Sequence, residues 1–385
     1  MVLNYKEAAI LLPNNMAGIY IHIPFCKQAC VYCNFHFSTN MKLKGVLLDA
    51  LLEEITLKSN YLNGALIQTI YFGGGTPSLL TDFEIRQILD RIAKHHPIDP
   101  GVEITFESNP DDLHPAYLKE LYEIGINRLS IGIQSFIPED MTYMHRAHTP
   151  SQSIEAVLSS QDAGFGNISV DLIYGVPHST IQTWQKNLAK VFELKVQHLS
   201  CYALTIEPRT ALAHKIKMNL APAPDDEETI SQLNHLMDLS PQYGFEQYEI
   251  SNYSLHGFRS RHNSSYWHGD HYLGLGPSAH SYDGNSRHWN VANNSTYIQN
   301  IREGRPYFEQ ETLNDSMRYN EYIMTSIRTK EGISFQKIQE QFKPHFVGLI
   351  PRWLEQGFIS EKSAFYSLTR MGVFIADKIS ADLFI

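Results

Sequence analysis

Cysteine is nearly absent from this chain. There are four among 385 residues, and three of them, Cys26, Cys30 and Cys33, fall within eight positions, with Cys201 far away. A disulfide framework spreads cysteines along a chain, so none is expected; the clustering reads as a metal site in a reducing compartment, and a cytoplasmic protein is the expectation. Long apolar runs are lacking as well. The longest near the N-terminus, Ala8 to Leu12, is too short for a transmembrane segment or a signal-peptide core. Positive charge is in deficit: 31 Lys and Arg stand against 41 Asp and Glu, a net charge of −10. Phosphate contacts need a basic face, so nucleic acid is not an expected partner. No solenoid-type repeat is present. The remainder, 43% hydrophobic and 19% charged, is ordinary for a chain with a sizeable core.

The first half repeats one grammar, an apolar β-rich run ending in Gly, Pro or polar residues and then a helix-like segment. The runs are Gly18 to Pro24, Leu66 to Phe72, Val102 to Phe106, Arg128 to Ile133, Ile168 to Tyr174 and His198 to Leu204. Between them Val46 to Leu57 and Phe83 to Ile92 carry apolar residues at helical spacing, with Asp82 as the expected N-cap of the second. Alternating strands and helices predict an α/β fold with a parallel sheet. Six units are too few to close an eight-stranded barrel, so the expectation is a partial, TIM-like (β/α)6 barrel over residues 17–220. The odd polar residues fall at strand C-termini, where barrel active sites are built. Residues 221–310 are less regular and read as an extension of the barrel. From 311 to 385 the pattern is mostly helical, with expected helices at Asn320 to Thr329, Ser334 to Phe342 and Gly348 to Gln356. A hairpin is expected from Gly357–Ile359 and Phe365–Thr369, giving a winged-helix-like tail. Residues 1–16 depart from this grammar and read as a leader; the natural start is Met1 or Met16.

The cysteines form C-x3-C-x2-C within Phe25-Cys26-Lys27-Gln28-Ala29-Cys30-Val31-Tyr32-Cys33. A cubane iron–sulfur cluster takes four ligands, usually thiolates. Three local thiolates leave one iron with open positions, which a bidentate amino-acid group could fill. A structural Cys3His zinc site, with His22 or His36 as fourth ligand, uses the same donors, but zinc knots usually pair C-x2-C units and this loop has no second pair. Gly73-Gly74-Gly75-Thr76-Pro77 follows the second strand, and its glycines permit close backbone approach to a ligand.

With Tyr20-Ile21-His22-Ile23-Pro24-Phe25-Cys26, these motifs resemble the radical S-adenosylmethionine (SAM) superfamily, and more narrowly its group containing oxygen-independent coproporphyrinogen III oxidases and HemW-type haem chaperones. The resemblance runs from about Ala17 to the C-terminus. It implies a [4Fe–4S] cluster on Cys26, Cys30 and Cys33 and SAM on the unique iron, cleaved to a 5′-deoxyadenosyl radical where radical chemistry is run. By position within matching motifs it also implies ligand contacts from Tyr20, Gly74, Gly75, Thr76, Glu107, Gln134, Arg146 and Asp171. Each has its own chemistry. The Glu107 carboxylate accepts from hydroxyls or an amine, Gln134 donates and accepts, and Arg146 offers a fork to a carboxylate. Asp171 interrupts an apolar strand, so a ligand or a cationic partner is expected beside it.

Within the group, the oxidases carry a further cysteine two residues after the third, where this chain has Phe35 within Cys33-Asn34-Phe35. The resemblance therefore leans to the haem chaperones, from which Asn34 departs, since an acidic residue is usual there. Arg261-His262-Asn263-Ser264-Ser265-Tyr266-Trp267 matches their H-N-x-x-Y-W motif. His262 is the candidate haem ligand, with Asn263 beside it and Tyr266 and Trp267 as flat apolar surface for a macrocycle. Gly274-Leu275-Gly276-Pro277-Ser278-Ala279-His280-Ser281 resembles a family glycine loop near the pocket. The expectation is a haem carrier that passes haem to an acceptor protein. Oxidative decarboxylation of coproporphyrinogen III is the alternative, and nucleic-acid binding by the tail ranks last. The oligomeric state is not fixed by any motif; a homodimer is compatible with the sequence.

Overall fold

The computed structural model describes residues 16–385; the expected leader lies outside the described residues except for Met16, the first residue of a strand. The strands β1 (Met16–Ile23), β2 (Leu66–Gly74), β3 (Ile98–Ser108), β4 (Arg128–Gln134), β5 (Ile168–Tyr174) and β6 (His198–Ala203) lie side by side in parallel. They alternate with helices α1 (Lys44–Leu57), α2 (Asp82–His95), α3 (Pro115–Ile124), α4 (Pro138–Met144), α5 (Pro150–Asp162) and α6 (Ile181–Glu193).

Register explains the division of labour across this sheet. Ile21, Phe72, Phe106, Leu129 and Ile168 are successive cross-strand neighbours, and all are fully buried among the helices. Side chains of this kind contribute roughly 1.5–3 kcal/mol each when buried. One residue along, Tyr20, Tyr71, Thr105 and Arg128 form the neighbouring row on the opposite face. A closed barrel usually fills its interior with branched apolar side chains. Here the inner face carries tyrosine, threonine, serine and charge, so it is a lined chamber rather than a second core.

Helix α2 begins one residue earlier than expected. Thr81, not Asp82, is the N-cap: its hydroxyl accepts from the Glu84 N–H, and the Glu84 carboxylate accepts the Thr81 N–H at 2.7 Å. This reciprocal pair satisfies two donors that Asp82 would leave open.

The less regular segment read as an extension of the barrel is continuous with the sheet. After α7 (Ala211–Lys217) and α8 (Asp226–Leu239), β7 (Glu246–Gln247) and β8 (Asn252–Ser254) add antiparallel strands beyond β6. Helix α9 (Arg261–His268) leads into β9 (His271–Leu275), which pairs in parallel with β1. Beyond it lie β10 (His280–Tyr282), β11 (Ser286–Asn290) and, after α10 (Asn294–Arg302), β12 (Phe308–Thr312), completing a 12-stranded sheet.

The C-terminal segment has its own core, built on Tyr319, Ile323, Phe346, Ile350, Trp353 and Ile379. It comprises α11 (Asp315–Ser326), β13 (Ile333–Ser334), α12 (Lys343–Glu355), β14 (Ile359–Lys362), β15 (Phe365–Leu368), α13 (Arg370–Val373) and α14 (Ala376–Leu383). The expected hairpin forms between β14 and β15. The expected helix at Ser334 to Phe342 does not. Ile333 and Ser334 pair with Tyr366 and Phe365, and the Tyr322 hydroxyl donates to the Ser334 carbonyl at 3.0 Å and accepts the Ser334 N–H at 2.8 Å. Only two single turns, Phe335–Lys337 and Glu340–Phe342, remain. Tertiary pairing outweighs local helix propensity there. Among the described residues no helix is long and apolar enough to cross a membrane.

Candidate cluster and nucleoside site

The cysteine loop leaves the C-terminal end of β1 and is held at both ends. The Cys26 N–H donates to the Ser38 carbonyl at 3.1 Å, and the Ser38 N–H to Pro24 at 2.9 Å. Side chains then fasten the middle. Lys27 pairs with Asp111 at 3.0 Å and with the buried Asp112, while the Gln28 amide donates to the His145 carbonyl at 2.8 Å.

Two side chains donate to cysteine sulfur. The Thr76 hydroxyl reaches the Cys26 Sγ at 3.4 Å, and Arg146 Nη1 reaches the Cys30 Sγ at 3.2 Å. The other Arg146 nitrogen, Nη2, donates to Asn109 Oδ1 and to the Gly132 carbonyl, each at 2.7 Å. Asn109 in turn donates to Thr76 at 3.1 Å. Asn109 therefore joins the two sulfur-binding side chains, a role the sequence did not single out; its one signal was its place in the strand-end run Glu107-Ser108-Asn109-Pro110.

All three thiols are free. Burial pushes the Cys26 thiol up and the Cys33 thiol up to about 11. Thiols held protonated release protons when a metal binds. Among the described residues no three His, Cys, Asp or Glu side chains converge on a single-ion position. A cubane does not need that convergence, because each thiolate binds its own iron. Three thiols with positive or hydroxylic donors already on two of their sulfurs suit an anionic cluster. His22 and His36, the alternative zinc ligands, are engaged elsewhere: His22 Nε2 meets the His36 carbonyl at 2.9 Å, and His36 Nε2 meets Asn294 at 2.7 Å.

The glycine loop packs differently from expectation. Gly74 has φ +105°, and a Cβ there would lie 2.6 Å from the His22 ring. A Cβ on Gly75 would lie 2.7 Å from the Phe25 carbonyl oxygen. The close approach these glycines permit is to the chain leading into Cys26. They set the cysteine loop against the end of β2.

Glu107 points into the chamber and accepts from the Tyr71 hydroxyl at 2.7 Å. Burial pushes its carboxyl up to about 7, against the lowering effect of the tyrosine hydrogen bond. Gln134 sits at φ +68° at the end of β4, a left-handed conformation unusual for a non-glycine residue. Asp171 lies opposite Gly132 and accepts from Ser130 at 3.1 and 3.2 Å and from Ser169 at 3.4 Å. The expected partner of this carboxylate is thus a set of hydroxyls, with the Arg128 charge acting from deeper in the chamber. Burial raises its pKa nonetheless. Tyr20 completes the wall, its hydroxyl 3.2 Å from His22 Nδ1.

The H-N-x-x-Y-W segment forms α9. The Glu103 carboxylate accepts the backbone N–H groups of Arg261 and His262, both at 3.1 Å, at the positive end of the helix. His262 is 1% exposed. Its Nδ1 lies 2.7 Å from the Thr69 hydroxyl and its Nε2 3.0 Å from the Tyr266 hydroxyl. Its ring stacks on Tyr71 at 4.9 Å, and burial pushes its pKa down to about 3. Neither nitrogen is free to meet an iron in this arrangement. Asn263 is half-buried, and its N–H donates to the Ser260 cap. Trp267 lies under the Arg328 guanidinium, 5.8 Å from the ring centre. In the following glycine loop the Gly276 N–H donates to the buried Glu54 at 2.7 Å.

Comparison with known proteins places the chain in a family. The family described as the Radical SAM superfamily matches residues 20–191. Haem chaperone HemW of Mycobacterium tuberculosis is 32% identical over 333 residues, 85% of each chain. HemW of Bacillus subtilis is 31% identical over 371 residues, 94% of this chain and 98% of that one. The structure described as coproporphyrinogen III oxidase (HemN) from Escherichia coli, a radical SAM enzyme, superposes with a TM-score of 0.84 at 22% identity, covering 97% of this chain and 91% of that one. That likeness establishes the partial-barrel fold. The chain belongs to the radical SAM superfamily, in its HemW family.

Proposed function

We propose that this protein is a cytoplasmic haem carrier. It holds a [4Fe–4S] cluster on Cys26, Cys30 and Cys33, binds SAM in the adjoining chamber and passes haem to an acceptor protein. The observation that carries the reading is the three free thiols, two of them already held by Thr76 and Arg146, at the mouth of a polar chamber, in a chain whose relatives are haem chaperones. Arg146 and Thr76 place positive charge and a hydroxyl on two of the sulfurs, donors that an iron-bound thiolate accepts. Glu107 and Asp171 offer carboxylate acceptors to a nucleoside or amine, Gln134 and Tyr20 offer mixed polar contacts, and Gly74, Gly75 and Thr76 fix the floor. When bound, cluster and SAM together supply one-electron chemistry at a carbon–sulfur bond; the protein supplies orientation and exclusion of water. Clustered free thiols of this kind persist in a reducing compartment, which supports the cytoplasm.

Anaerobic reconstitution followed by parallel assays tests this. The expected results are a brown protein whose iron–sulfur absorption is lost in Cys26→Ala, stoichiometric haem binding with a shifted Soret band, and no turnover of coproporphyrinogen III with SAM and a reductant. Turnover would establish the decarboxylase instead. A zinc-only protein after reconstitution would refute the cluster.

A further inference from the structure

His262 is closed on both nitrogens and buried, so in this arrangement it offers no free nitrogen to an iron. A cavity of about 460 Å³ opens beside the third cysteine, lined by Cys33, Asn34, Phe35, Pro208, Arg209 and Thr210. Small-molecule sites run from roughly 300 to 1,000 Å³. Two of its residues bear on what it could hold. Phe35 is 67% exposed, a full aromatic face left in water. Arg209 has φ +70°, in the left-handed region that a non-glycine residue occupies only when its surroundings impose it.

The surroundings do impose it. On one side the Thr210 hydroxyl donates to the Glu207 carbonyl at 2.7 Å. On the other, the Leu212 N–H donates to the Val31 carbonyl at 2.8 Å, between the second and third cysteines. Leu212, Val31, Leu204, Ile173 and Val176 then pack into one apolar cluster beneath. The loop carrying Arg209 is thereby fixed to the cysteine loop carrying Phe35. The arginine itself is exposed and takes part in none of the ion pairs among the described residues.

A flat apolar face and a planar cation without an ion-pair partner among the described residues, across one cavity, match an amphipathic, flat ligand with carboxylate arms. We infer that this cavity is the porphyrin seat, with the macrocycle lying on Phe35 and a propionate paired with the Arg209 guanidinium. The inference rests on the haem-carrier reading above. It gives the aromatic at position 35 a task at the place where the oxidases carry a cysteine, and it brings the macrocycle against the cluster loop without an iron ligand.

The test uses the full chain with its cluster reconstituted, titrated with haem, with metal-free protoporphyrin IX and with the protoporphyrin dimethyl ester. Arg209→Gln and Phe35→Ala should each weaken haem and protoporphyrin binding about tenfold. Both should leave iron content and cluster absorption unchanged, since the Phe35 N–H that reaches Cys33 survives in Phe35→Ala. The ester should bind wild type and Arg209→Gln alike, and metal-free porphyrin should bind wild type about as tightly as haem. Wild-type affinity in both variants, an ester that still senses Arg209, or binding that requires iron would overturn the seat while the carrier reading stands. A wild-type protein that binds neither haem nor protoporphyrin would overturn both.

Discussion

Arg146 shows how one side chain sets the candidate site. Its two terminal nitrogens reach Cys30, Asn109 and the Gly132 carbonyl at once, which only a planar fork can do. Arg146→Lys keeps the charge and loses the fork. The expected outcome is an intact fold by circular dichroism with less iron per chain after anaerobic reconstitution. Glu107 carries a pH dependence. Burial lifts its carboxyl to about 7, so the ionised acceptor is populated as pH rises through that value. SAM affinity should therefore increase across about pH 6 to 8, and Glu107→Gln should flatten the profile; a wild-type profile with no rise through neutrality would contradict the role given to Glu107. Glu107 was legible because it stands at a strand end, and Arg146, in the loop after α4, because it stands in a motif that the family resemblance covers. Asn109 and Tyr71 were not, because alternation along a strand says which way a side chain points but not whom it meets.

At the level of elements, the sequence pattern located β5 to the residue and the other parallel strands within a few positions. Period-two alternation with buried outer rows leaves little freedom. Helix starts were less well determined, since Thr81 and Asp82 are both good caps and only the Glu84 return bond selects Thr81. Thr81→Ala should lower unfolding stability by about 1 kcal/mol in urea titrations, without touching the site. The cysteine loop is an element as well. Lys27 fastens it to Asp111 and Asp112, and the pairing with buried Asp112 spans 85 positions of chain that no local pattern connects. Lys27→Met should leave the fold intact and speed the loss of iron from the reconstituted protein to a chelator. An unchanged rate would mean that the loop's backbone bonds alone hold it.

On the scale of the whole molecule, one buried carboxylate reinforces the strand pairings that join the later half of the chain to the barrel. Glu54 on α1 is fully buried and accepts from the Gly276 N–H and the Asn290 amide, each at 2.7 Å, and from the Tyr297 hydroxyl at 2.5 Å. Burial outweighs these donors and pushes its pKa up to about 7. A carboxyl raised above its unfolded value contributes stability that is present at low pH and lost as pH rises through about 7. Unfolding free energy should thus fall by up to roughly 3 kcal/mol between about pH 4.5 and 7 from this group alone. Glu54→Gln, whatever its own cost, should remove that slope from melts taken across the range.

The sequence by itself determined the parallel strands, the three thiols, the polar strand ends and the family to which they belong, because period, spacing and local chemistry are properties of neighbours along the chain. Tertiary structure alone decided that the Gly74 and Gly75 cradle receives the protein's own chain, that Ser334 joins a strand, and that His262 is shut between Thr69 and Tyr266. Those outcomes depend on partners brought together from afar, 193 positions apart for His262 and Thr69, and the free energy of burying a polar group is set by whichever partner arrives.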